Sequence, residues 1–363
     1  MLTVLFIGGC QKSDDSPIKI GILHSLTGTM AISEKPVADA VLLAIEEINQ
    51  SGGLLGRKLV PVIADGKSDW PTFASEAERL ITVEKVAVVF GCWTSASRKT
   101  VKPIFEKYKS LLFYPVQYEG LEESPNIIYL GAAPNQQITP AISWAAEYLG
   151  KRLYLIGSDY VFPRVANWII RKQAKLLALD IVGESYIPLG GTDFDKVVAN
   201  IKASKPDVII NSINGSSNVA FFHAYAEAGI SIQDSPVISF SIGETELAAM
   251  HNNGDMVGHY AAWSYFQNMA SDGNRKFVSA FKSRFGRDRP VSDPMEVAYI
   301  GVKLWAQAFE TQGSTEALAI LNVIRTLSAG GPEGIVAIDF NNRHAWRQMH
   351  IGRVNRQSGF DIV

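Results

Sequence analysis

The chain has 363 residues, 47% of them hydrophobic and 19% charged, and a formal net charge of −2. That length exceeds one typical core and favours two lobes. The near-neutral charge, without a long basic run, argues against nucleic acid or an anionic membrane as the main partner. No stretch of about 18 apolar residues reads as a spanning helix.

The chain opens with MLTVLFIGGC, an apolar run ending at Cys10, followed by the polar QKSDDSP. This is the pattern of a lipoprotein leader cleaved before the cysteine, so residues 1–16 are expected to be leader and tether, with Cys10 lipidated. The leader carries no Lys or Arg before its apolar part, unlike a complete export signal. With Cys10 lipidated, Cys92 has no partner and no disulfide is expected.

Strand and helix patterns then alternate. IKIGIL (18–23) reads as a buried strand. Pro36 is read as opening a helix in which Val37, Ala40, Val41, Ala44, Ile45 and Ile48 share one face, stopped by SGG at 51–53. LVPVIADG is a strand, TFASEAERLITVEK a helix, and VAVVF, SLLFYP and NIIYLGA are further strands. A second series starts near 135, with RLYLIGSDY, DIVGESYIPL, DVIINSING and PVISFSIGETE as strand candidates separated by helices. VGHYAAWSYF reads as a crossover strand and PMEVAYIGVKLWAQAFE as a long amphipathic helix. GIVAIDF and QMHIGRV close the chain as β-like runs. Alternating strands and helices predict an α/β fold with parallel sheets.

In open α/β sheets, ligands bind beyond the carboxyl ends of the strands. Those ends carry His24, Ser25 and Thr27, then Cys92, Trp93, Thr94 and Ser95, then Tyr114, Val116, Gln117 and Glu119. In the second half they carry Ser158, Asp159 and Tyr160, then Asn214 and Gly215, then Ser241 and Glu244. Two such rims are polar and aromatic and poor in cations. Facing each other, they would enclose a small, polar, neutral molecule. Trp93 precedes a helix start whose free N–H groups can donate to an oxygen, so it is read as a plate over a flat ligand. Asp159 could otherwise be a helix cap, and Ser95 a mere cap as well.

Catalysis has little support. Cys92 has no His beside it in sequence and reads as a small buried residue at a strand end. The six His show no metal-ligand spacing. There is no Gly-rich phosphate loop, nucleophile elbow or Cys-x-x-Cys motif. No enzyme activity, metal or cofactor is expected.

The motifs DGKSDWPTFASEAERL, VVFGCWTSASRK, LLFYPVQYEGLEESPNI, GAAPNQQ, GSDYVFPR, NGSSNVAFF and VGHYAAWSYFQ resemble the urea-binding proteins of urea ABC transporters. Those proteins belong to the branched-chain amino-acid and amide group of type I periplasmic binding proteins. The resemblance runs from about residue 17 to the C-terminus, and it also touches cytosolic amide sensors at GSDY, YEG and PNQ. It implies two Rossmann-like lobes joined by three hinge crossovers. Lobe one would hold 17–130 plus 262–331, and lobe two 131–261 plus 332–363. It implies a cleft lined by Trp93, Thr94, Ser95, Tyr114, Val116, Gln117, Tyr160, Asn214, Gly215 and Glu244, to which the strand-end reading adds Asp159. It further implies a urea or small-amide ligand, an inner-membrane ABC permease as partner, and a place in the periplasm or at the cell surface, with membrane attachment only through Cys10. The alternatives are a short-chain amide or branched-chain amino-acid binding protein, or an amide-sensing regulatory protein, and Val116 stands where the amide sensors carry a hydroxyl residue.

Overall fold

The computed structural model describes residues 16–250 and 253–363, so the expected lipidation at Cys10 lies outside the described residues. The strands of lobe one are β1 (Ile18–His24), β2 (Leu59–Asp65), β3 (Val88–Gly91), β4 (Leu112–Tyr114) and β5 (Ile127–Tyr129). They are separated by helices α1 (Ala31–Gln50), α2 (Trp70–Thr82) and α3 (Ser95–Tyr108). The order is β2-β1-β3-β4-β5, parallel throughout. Central strands of such a sheet are covered on both faces, which is why β3 and β4 are wholly buried apolar runs.

Lobe two follows with α4 (Ile138–Tyr148), β6 (Arg152–Ser158), α5 (Val161–Leu177), β7 (Asp180–Ile187), α6 (Asp195–Ser204) and β8 (Val208–Ser212). It continues through α7 (Ser217–Glu227), β9 (Val237–Ser239), α8 (Glu244–Ala249) and β10 (Tyr260–Trp263). The chain then returns to lobe one for α9 (Asp272–Phe285), α10 (Asp293–Gln312), α11 (Ala317–Ile324) and the hairpin β11 (Ser328–Gly331)–β12 (Gly334–Ala337). It finishes in lobe two as β13 (His350–Val354) and β14 (Phe360–Ile362). The second sheet runs β14-β13-β10-β9-β8-β6-β7, with β13 and β14 antiparallel at one edge. Among the described residues no helix is long and apolar enough to cross a membrane.

Two expectations are corrected. Helix α1 starts at Ala31, and Pro36 lies inside it. The extra first turn is held within lobe one, where Ser25 N–H donates to Glu34 Oε2 at 2.8 Å. This contact outweighs the N–H that Pro36 lacks. The last crossing also falls later than 331. Val336, Ile338 and Ala345 join the core of lobe one, and the backbone at 343–345 pairs with the free edge of β5. Tyr129 N–H donates to Arg343 O (3.0 Å), and Ala345 N–H donates to Tyr129 O (2.8 Å).

The chain therefore passes between lobes after β5, after β10 and after Ala345. One buried guanidinium ties all three passages together, the second through Asp293. Arg347, itself on the third, donates from Nη1 to Leu130 O at 3.3 Å on the first and from Nη2 to Asp293 Oδ2 at 2.8 Å. The same Asp293 oxygen accepts the N–H groups of Ser264 and Tyr265 on the second, each at 2.9 Å. Glu333 and Glu296 stand 2.5 and 3.6 Å from Arg347 Nη2.

Candidate functional site

The carboxyl ends of both sheets meet across the interlobe cleft. In lobe one, β3 runs so close to β1 that a Cβ on Gly91 would lie 2.3 Å from Leu23 O. Cys92 turns the chain with φ +67°, its N–H donating to Leu23 O at 2.8 Å. Burial, then the nearby charge of Glu34, push its thiol far up, so it is a core sulfhydryl and not a thiolate nucleophile. Thr94 caps α3: its Oγ1 accepts from Ser97 N–H at 3.0 Å. The next helical N–H groups, at Ser95 and Ala96, have no acceptor within the helix by its geometry and can serve an oxygen in the cleft.

Trp93 is pinned at both ends. Tyr114 O–H donates to its carbonyl at 2.5 Å. Its indole N–H donates across the cleft to Asn214 Oδ1 at 3.2 Å, and Asn214 is itself held by Ser158 Oγ and Ser212 O. Gln117 also crosses the gap: its Nε2 donates to Phe240 O at 2.6 Å. Its Oε1 is buried without a hydrogen-bond partner. Val116 is buried over Gly131, where a Cβ would sit 2.0 Å from the Val116 carbonyl carbon. Burial pushes the Tyr160 phenol well up, with Tyr114 and Glu119 adding to it, which places that ring among the same group. Gly215, at φ +68°, faces Thr29 so closely that a Cβ would lie 2.7 Å from Thr29 O. Ser216 N–H donates to that oxygen at 3.1 Å. Trp93, Thr94, Ser95, Tyr114, Val116, Gln117, Tyr160, Asn214 and Gly215 are thus brought together from both lobes.

Two of the expected residues have partners outside this group. Asp159 is 44% exposed and paired with Arg164 at 2.6 Å, because the turn after β6 points its carboxylate outward. Glu244 is buried, and its Oε1 accepts Gln267 N–H at 2.7 Å and braces the second passage, while its Oε2 is buried without a hydrogen-bond partner. Burial raises its pKa to about 8.

The structure adds residues that sequence patterns did not single out. Arg98 is buried with its guanidinium 4.8 Å from the Tyr114 ring centroid and 4.5 Å from that of Tyr118. It bonds Glu122 at 2.8 Å, Glu119 at 3.1 Å and Ser95 Oγ at 3.1 Å, and Ser95 O–H in turn donates to Glu119. Glu34 accepts from Ser25 and lies 3.2 Å from His24 Nδ1, while His24 Nε2 is buried without a partner. The one sequence signal was Arg98 three positions after Ser95, which puts both on one helix face.

The two rims bring together a helix start with free donors, an indole bonded across to Asn214 and a buried amide oxygen without a hydrogen-bond partner. A solute-binding protein of Rhodopseudomonas palustris BisB5, solved with 3,4-dihydroxybenzoic acid, has the same fold, with TM-score 0.85 and 22% identity, covering 96% of this chain and 95% of that one. A leucine-binding protein of Thermotoga maritima matches with TM-score 0.82 and 20% identity, over 95% and 97% of the two chains. The Leu/Ile/Val-binding protein homolog 8 of Brucella abortus is 24% identical over 352 residues, 89% of this chain and 83% of that protein. A 106-residue stretch is 36% identical to limonene hydroxylase of Geobacillus stearothermophilus, but it spans only 19% of that protein and 29% of this chain. Residues 18–363 match the periplasmic binding protein domain, and the chain belongs to that family of two-lobed binding proteins, not to an enzyme family.

Proposed function

We propose that the chain is the solute-binding component of an ABC transporter that closes on urea, or on an amide of similar size, and presents it to a membrane permease. The observation that carries the choice of ligand is the state of Arg98. It is the buried cation beside the cleft, and it is consumed by Glu119, Glu122 and the rings of Tyr114 and Tyr118. Among the described residues at the cleft, the Arg98 guanidinium is taken up by these partners and is not free to clamp a carboxylate, whereas a buried amide oxygen at Gln117 is unfilled. A neutral solute with several N–H groups and one carbonyl matches that balance, because each unpaired buried polar group costs about 1–3 kcal/mol. The chain works outside the cytoplasm, as its family does, with Cys10 as its membrane tether.

An amino acid is the second reading. The α3 N–H groups could take its carboxylate, and the Brucella relatives carry a branched-chain name. The best tiny ligands gain about 1.5 kcal/mol per non-hydrogen atom. Urea, with four such atoms, therefore reaches about 6 kcal/mol, a dissociation constant of tens of micromolar. Titration calorimetry against urea, acetamide, leucine and 4-hydroxybenzoate tests this. Urea should saturate, acetamide should bind more weakly, and the two acids should give no heat of binding. Saturation by leucine or 4-hydroxybenzoate with none by urea would overturn the ligand. Trp93→Ala should weaken urea binding at least tenfold, and unchanged affinity would reduce Trp93 to core packing.

A further inference from the structure

We propose that Ser33 and Glu246 form a latch that holds the two lobes shut and sets solute affinity without touching the solute. Ser33 lies on the first turn of α1 in lobe one, and Glu246 on the first turn of α8 in lobe two. Ser33 O–H donates to Glu246 Oε1 at 2.6 Å, and both residues are buried. The other carboxylate oxygen accepts Gly243 N–H and Thr245 O–H, each at 2.9 Å. Both carboxylate oxygens of Glu246 are thus engaged within the protein.

Each half of the latch is held by its own lobe. Gly243 and Thr245 fix Glu246 whether or not lobe one is present. On the other side, Glu34, next to Ser33, is tied to Ser25 and His24 at the end of β1. Closure therefore orders little that was not already ordered. Burial raises the Glu246 pKa, and the Ser33 hydroxyl is foremost among the donors that oppose the rise. A hydroxyl-to-carboxylate bond away from water is among the stronger kinds, and removing its donor penalises the closed state alone. The companion contact between the Thr29 and Ser216 hydroxyls, 2.8 Å apart, is open to solvent and so competes with water. Apparent affinity scales with the population of the binding-competent form, which is how a contact outside the solute surface sets affinity.

The latch rests on the two-lobed binding fold and not on urea being the solute. The test uses the full chain, with Ser33→Ala and Ser33→Thr, by small-angle scattering without ligand and by binding kinetics with urea. Ser33→Ala should keep its helical dichroism and enlarge the radius of gyration of the free chain. It should also weaken urea binding about tenfold through faster dissociation. Ser33→Thr, which keeps the donor, should restore both. Scattering curves for Ser33→Ala that superpose on those of the unaltered chain would overturn the latch. Absence of urea binding by the unaltered chain would sink the ligand assignment, and the scattering comparison would still decide the latch.

Discussion

Arg98 beside the cleft and Arg347 at the hinge are both buried arginines among carboxylates, yet their surroundings behave in opposite ways. Arg98 and the adjoining Lys99 face Glu119 and Glu122, two cations to two acids. Burial alone would raise Glu122, but the charge and hydrogen bonds of Arg98 and Lys99 outweigh it and hold its pKa down to about 2. Arg347 faces Asp293, Glu296 and Glu333 alone. There burial wins, and all three acids are raised. The hinge acids are buried more deeply than Glu122 and share one cation among three, so burial and the ratio of cations to acids together separate the two groups.

The comparison can be broken most directly by removing each cation. Arg98→Met takes the guanidinium partner from Glu119 and from the Glu122 carboxylate, and should cost about 3–5 kcal/mol in guanidinium denaturation. Arg347→Met should cost less, because its partners already lean toward the neutral form and can take up a proton. Equal losses would mean that stoichiometry is not what sets the two groups apart.

The smallest effect sharpens the contrast through pH. Glu122, held low, contributes stability that is full above its unfolded value of about 4.3 and is lost as pH falls toward 2. The hinge-side acids act in the other direction. Glu244, raised to about 8, keeps a proton in the folded chain that the unfolded chain releases. Its contribution is full below about 4.3 and declines as pH rises through 8. Glu244→Gln keeps an acceptor for Gln267 N–H and should flatten the fall in melting temperature between pH 5 and 8. A slope unchanged by the substitution would place the titration elsewhere.

What could be read from the chain follows from the range of each interaction. The β/α alternation and the polar strand ends are local patterns of period and composition, and the residues after β3, β4 and β8 were placed at the cleft on that basis. Pro36 reads as a helix start because propensity is local, whereas the turn before it is held by Glu34, which accepts from Ser25 at the end of β1. Asp159 looked like a cleft acid because SDY follows a strand, but its partner Arg164 turns it outward. The hairpin β11–β12 carries an ordinary strand pattern. Only its packing on lobe one moves the last crossing past Ala345. Arg98 reaches Glu119 across 21 positions, a pairing that no spacing rule announces.

The approach of Gly215 to Thr29 bears on how this binding site could diversify. The lobes stop closing there on main chain against main chain, with Ser216 N–H on Thr29 O and no space for even a methyl group on Gly215. The stopping point is thus indifferent to which side chains line the gap, and substituting those side chains does not move it. A descendant that takes a bulkier solute must find the room at the opposite wall, by shrinking Trp93 or Val116. New specificities should therefore accumulate on one rim while the other stays a fixed gauge.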